Sequence, residues 1–107
     1  MRSLVIDEAD DSATGYEELL RVPALSVGRY LLPAGGEDLQ QPHTEDEVYV
    51  VRAGRATLRT PHGDAPAVAG AVLFVPAGEE HRFVDIEEAL DVLVLFGPAE
   101  HSNAAPS

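Results

Sequence analysis

A chain of 107 residues and 11.4 kDa has room for one compact domain and not for two. Nineteen acids stand against seven arginines and no lysine, a net charge of −12, which argues against nucleic acid or an anionic membrane surface as partner. The absence of cysteine excludes disulfides, thiolate metal sites and cysteine nucleophiles, so any metal must be held by nitrogen and oxygen. Met1–Glu8 turns acidic before a signal-peptide core could form, and the longest uncharged stretch, Ala65–Gly78, is 14 residues with two prolines. A cytoplasmic protein is expected.

Taken in chain order, the elements read as short strands. Ser3–Asp7 is apolar enough for a first strand within an N-terminal arm, residues 1–24. Ser12–Leu20, with Tyr16, Leu19 and Leu20 at helical spacing, is read as one short helix. Leu25–Leu32, Val48–Arg52 and Ala56–Thr60 follow as strands, with a hairpin turn at Ala53-Gly54 and a second turn at Pro61-His62-Gly63-Asp64. Val72–Val75, His81–Ile86 and Leu90–Phe96 complete the set, and the chain from Gly97 onward reads as a frayed tail. The pattern is that of an all-β protein, a sandwich or barrel over residues 25–97, with the tail at 98–107.

Two glycine-started segments carry residues with potential chemistry. The first runs Gly35, five residues, Gln41, one residue, His43, three residues, Glu47, six residues, Gly54. The second runs Gly70, five residues, Pro76, one residue, Gly78, two residues, His81, three residues, Asp85. His43 and Glu47 would share a helix face at i, i+4, but Pro42 before and Val48-Tyr49-Val50-Val51 after them argue for strand. In strands, Glu47, Tyr49 and Val51 lie on one face, and His81, Phe83 and Asp85 on one face. If Glu47 and His81 point into a barrel, Tyr49, Val51, Phe83 and Asp85 line the same small-molecule pocket.

Together these segments resemble the two motifs of the cupins, small jelly-roll barrels (double-stranded β-helices). The resemblance runs from about Leu25 to Phe96, with only 15 residues between Gly54 and Gly70, as in compact single-domain bacterial members. It implies a divalent metal in the barrel, with His43, Glu47 and His81 matching three of the family's four ligand positions. Gln41 stands where the family usually has its first His, and Asp85 where it usually has Asn. Two His and a carboxylate are the set non-haem iron enzymes use with open positions. Gln41 completes a fourth position or faces the pocket.

The resemblance implies a metal-dependent enzyme, of oxygenase type, acting on a small molecule, with Fe, Mn, Ni or Zn as the ion. Two other readings stand beside it. One is a non-catalytic small-molecule or carbohydrate-binding barrel, its metal structural or vestigial. The other is a metal-free isomerase using His43 or His81 with Tyr49. Without a metal, the same residues would hydrogen-bond one another around water. His62, in a turn, and His101, in the tail, read as exposed and inert. The family's habit of pairing through N-terminal strands implies a homodimer, with Ser3–Asp7 at the contact.

Overall fold

The computed structural model describes residues 1–40 and 42–102. Its described residues hold six strands and no helix, so none is long and apolar enough to cross a membrane. The strands are β1 (Gly15–Val22), β2 (Leu25–Leu32), β3 (Asp46–Thr60), β4 (Gly63–Val68), β5 (Val72–Val75) and β6 (Arg82–Gly97). All pairings are antiparallel, in the order β1-β2-β6-β3-β4, with β5 also on β3.

β3 and β6, 15 and 16 residues long, make the barrel, because each serves both layers. The first half of β3 lies between β5 and the end of β6; its second half lies between β4 and the start of β6. Their register shifts three times between Val51 and Thr57, which is where the ribbon bends over the core. Alternate residues then point inward, and Tyr49, Val51, Leu58, Phe83, Leu90, Val92, Val94 and Phe96 form the centre of that core.

Several expectations need correction. The Ala53-Gly54 turn is a bend inside continuous β3, not a hairpin, and the two runs beside it are one strand. Gly54 has φ +101°, and a β-carbon there would stand 2.2 Å from the Ala89 carbonyl oxygen, so its glycine serves a strand crossing. In the same way His81–Ile86 and Leu90–Phe96 fuse into one strand system led in by His81. The Pro61-His62 turn stands, and it leads into β4, which the small residues of Gly63–Val68 concealed.

Ser12–Leu20 is not a helix. Gly15–Val22 is an edge strand whose side chains are largely exposed, and a bulge at Leu19 breaks the alternation that would have marked it. Ser3–Asp7 is not a strand either, because arginine side chains take its carbonyls: Arg29 Nη2 donates to Asp7 O at 2.5 Å and Arg52 Nη2 to Ile6 O at 3.3 Å. Nor does the chain fray at Gly97. Ala99 is buried, the Glu100 amide donates to Ser26 Oγ at 2.8 Å, and the His101 amide donates to Glu45 Oε1 at 2.7 Å. Pro98–Ser102 is therefore part of the barrel end.

The crossing at Gly54 gives a direct stability test. Gly54→Ala must accommodate both a left-handed φ and a backbone clash, and is expected to cost about 2–4 kcal/mol. Gly70→Ala, at φ +92° with open space around it, is expected to cost about 1–2 kcal/mol. Urea unfolding of both variants checks this, and equal costs would contradict the crossing argument.

Candidate functional site

The site lies where the β3 alternation meets the start of β6. Glu47, Tyr49 and Val51 point inward from β3, Glu45 is buried in the bend just before it, and His81 enters from the turn before β6. The two sequence segments are tied directly, since the Gly78 amide donates to the His43 carbonyl at 2.7 Å. His81 Nε2 then stands 3.0 Å from Glu47 Oε1 and 2.9 Å from Tyr49 Oη. Both charged side chains are 1% exposed.

A polar network continues behind this pair. Gln40 Nε2 donates to Tyr49 Oη at 2.9 Å and to Asp38 Oδ2 at 3.0 Å. Buried Asp38 also accepts from the Tyr30 hydroxyl at 2.7 Å and the Phe83 amide at 2.9 Å. With both amide hydrogens of Gln40 engaged, its Oε1 faces His43 Nε2 at 3.4 Å. Asp38 is thus saturated with donors. Glu47 is not: neither of its buried oxygens meets a hydrogen-bond donor in good geometry.

Protonation follows from these surroundings. Burial pushes the His81 imidazole down, but the Glu47 carboxylate and the Glu79 carbonyl push it up by more, so it holds a proton above its ordinary range. Burial, followed by the Glu47 charge, lifts the Tyr49 phenol well above its usual value, so it stays an O–H. His81 Nδ1 is engaged by the Glu79 carbonyl at 2.9 Å. In neutral His81 the proton sits on Nδ1, and a lone pair on Nε2 faces a carboxylate. The Tyr49 hydroxyl, 2.9 Å away, can give that lone pair a hydrogen, while the Glu47 carboxylate beside it would be balanced by a second proton on His81.

Beside this pair is a cavity of about 150 Å³, the size that holds one benzene-sized molecule. Tyr16, Tyr30, Val94 and Phe96 form its apolar wall, and Gln40, His43, Glu47 and Glu100 bring polar groups to it. Gly28 opens the way for Tyr16, since a β-carbon there would stand 2.0 Å from the phenol oxygen. On its far side, His81 borders an open groove of about 560 Å³ shared with Gln40, Arg59 and Arg82.

The structure thus brings His43, Glu47, His81 and Tyr49 together. His43 is turned to Gln40 and Glu100, so among the described residues no three His, Asp or Glu side chains already form a metal-holding cluster. Gln41 lies outside the described residues. Tyr49, Val51 and Phe83 are interior, as strand parity predicts, but none of them is on the wall of the 150 Å³ cavity. Asp85 is not interior: it sits at φ +52° where β6 carries extra residues against β3, and the bulge turns it to solvent. His62 and His101 are exposed. Sequence reasoning missed Asp38, Gln40, Tyr30, Tyr16 and Glu100. Tyr16 lay in the expected helix and Glu100 in the expected tail.

Comparison with known proteins agrees with this architecture. The family described as Cupin domain matches residues 28–96, and the chain belongs to that family. It is 42% identical over 106 residues to an uncharacterized protein of Streptomyces coelicolor, covering 94% of this chain and 99% of that one. An RmlC-like cupin of Desulfovibrio desulfuricans is 25% identical with a TM-score of 0.76, over 92% of this chain and 98% of its own. An RmlC-like cupin of Methanocaldococcus jannaschii with a double-stranded β-helix fold superposes at TM-score 0.76 over 91% of each chain, at 16% identity. The jelly-roll barrel is therefore shown.

The His81–Glu47 pair sets a pH dependence whose sign is fixed. A pKa raised on folding contributes stability that is present below the ordinary imidazole value and lost as pH rises through the folded value. Chelator-treated wild type should lose stability as pH rises from about 6 through neutrality. Glu47→Gln should flatten that loss. Chemical denaturation across this range checks it, and identical slopes in the two proteins would contradict the pairing.

Proposed function

We propose that this cupin is a metal-dependent enzyme, of oxygenase type, acting on a small molecule. The unsatisfied Glu47 carboxylate, buried and facing His81 Nε2 at 3.0 Å, is the observation that carries the reading. Its donor chemistry fits a divalent transition ion such as Fe, Mn, Ni or Zn. Glu47, His81 and His43 would hold the ion, with Gln41 as a fourth candidate; His43 would give up only a long contact with Gln40. Such an ion supplies Lewis acidity and open coordination positions for substrate and dioxygen.

The chain's own residues supply the rest. Glu79, through its carbonyl, holds neutral His81 in the tautomer whose Nε2 carries no proton. Gln40, held by Asp38, donates to Tyr49 Oη and orients it over the same atom, while burial keeps the phenol protonated. The aromatic wall of the cavity excludes water and sets a small, largely apolar ligand. The metal-free isomerase reading has one favourable observation, the His81–Tyr49 contact at 2.9 Å. Tyr49, however, is fully buried and lines neither the cavity nor the groove, so a substrate does not reach it.

The same reading places the protein in the cytoplasm as a homodimer. Val27, Leu95, Val48 and Phe74 form one cross-strand row on the outer face, and Phe74 and Val72 beside it are 62% and 68% exposed. A second copy would cover that row. Sedimentation is expected to give a dimer that Phe74→Glu converts to monomer. A wild type that stays monomeric at high concentration would overturn it.

Metal content tests the main reading. Protein purified without a His tag or added metal should carry a stoichiometric transition ion, absent from His81→Ala. Chelation should lower its melting temperature, and that difference should shrink toward about pH 5 as the imidazoles protonate. An empty wild type that takes up none of these ions would contradict it.

A further inference from the structure

Glu100 sits in the segment expected to fray, yet its carboxylate reaches the site. Its Oε2 lies 3.5 Å from His43 Nδ1, with the two side chains only 13% and 16% exposed, and it forms part of the cavity wall. The exposed His101 meets the same oxygen at 3.5 Å from the solvent side. The segment is held by its backbone: the Glu100 amide is bonded to Ser26, the Glu100 carbonyl to the Arg21 guanidinium, and the His101 amide to Glu45. The Glu100 side chain takes no part in that anchoring. Its Oε2 is shared between His43 and His101.

His43 has acceptors on both sides. Nδ1 faces the Glu100 carboxylate and Nε2 faces Gln40 Oε1 at 3.4 Å, while a neutral imidazole has one hydrogen to give. Gln40 cannot turn its amide around, because both Asp38 and Tyr49 use its nitrogen. The two acceptors therefore favour opposite tautomers. The 3.5 Å contact to Glu100 is an ion-pair distance rather than a closed hydrogen bond, but a carboxylate is the stronger acceptor of the two and draws the proton toward Nδ1. That leaves Nε2 with its lone pair, the arrangement the Glu79 carbonyl gives His81.

We propose that Glu100 is a positioning residue which selects the Nδ1–H tautomer of His43 and so keeps its Nε2 available as a metal ligand. The inference rests on the metal-site reading for its consequence, and on the two contacts of His43 for its substance. Removing the carboxylate hands the proton to the Gln40 side and turns Nε2 from a lone-pair donor into an N–H. The loss of such an outer partner costs 10–100-fold in metal affinity as a rule, about what Glu100→Ala should lose. Glu100→Gln, which keeps an acceptor without the charge, should fall between.

Two readouts on chelator-stripped protein separate this inference from the metal reading. Nitrogen-15 NMR of His43 at about pH 8, where an ordinary imidazole is neutral, should show Nδ1–H in the wild type and Nε2–H gaining population in Glu100→Ala. Titration with Mn(II) followed by electron paramagnetic resonance should show the weakened binding. The stripped variant should melt with the stripped wild type, which a merely structural role would not allow. An unchanged His43 tautomer in Glu100→Ala overturns the inference, whether or not the wild type binds metal. A shifted tautomer with undiminished Mn(II) affinity overturns it too. A wild type that binds no Mn(II) or other ion counts against the metal reading, while the nitrogen shifts still decide the role of Glu100.

Discussion

A carboxylate buried to 1% exposure, with no donor in good geometry and an imidazole nitrogen 3.0 Å away, is the constraint around which this barrel is arranged. Leaving a charge unpaired in such a place costs several kcal/mol, far more than a surface ion pair returns. Other buried acids here are treated differently. Asp38 is saturated with donors, and Glu45 takes the His101 amide and the Thr44 hydroxyl. Glu47 alone of these three is left facing a nitrogen that can carry a proton or a lone pair.

The fold makes that placement unavoidable. Because β3 runs unbroken through its bend at Gly54, the inward parity that buries Tyr49 and Val51 also buries Glu47. β6 does the same for the core from its other side, and the Gly78–His43 backbone bond holds His81 against β3. Shifting Glu47 to solvent would require a one-residue slip that also exposes the aromatic core. Stability and site geometry are therefore coupled through the same strand.

How much of this was legible in the sequence depended on whether the signal was local. Glu47, Tyr49 and Val51 were readable because a central strand buried on one face alternates strictly. Asp85 broke the same rule, since its bulge comes from a mismatch in length between β3 and β6 that neither strand shows alone. Tyr16 was hidden by a bulged edge strand, and its entry depends on a glycine 12 residues away, Gly28. Glu100 was hidden more deeply. Nothing in Gly-Pro-Ala-Glu-His announces burial, and its partners Ser26, Arg21 and His43 come from three separate segments. The candidate ligands were thus visible as a pattern, while the groups that set their tautomers were visible only in three dimensions.

The central claim is that a metal ion and a proton compete for the point between Glu47 and His81. Calorimetric titration of Mn(II) into chelator-stripped protein, repeated near neutral pH in buffers of different ionisation enthalpy, counts the protons released on binding. The account expects proton release in the wild type that Glu47→Gln diminishes, because without that carboxylate His81 no longer carries the extra proton. Binding with no proton release, or release unaffected by the loss of Glu47, would contradict it.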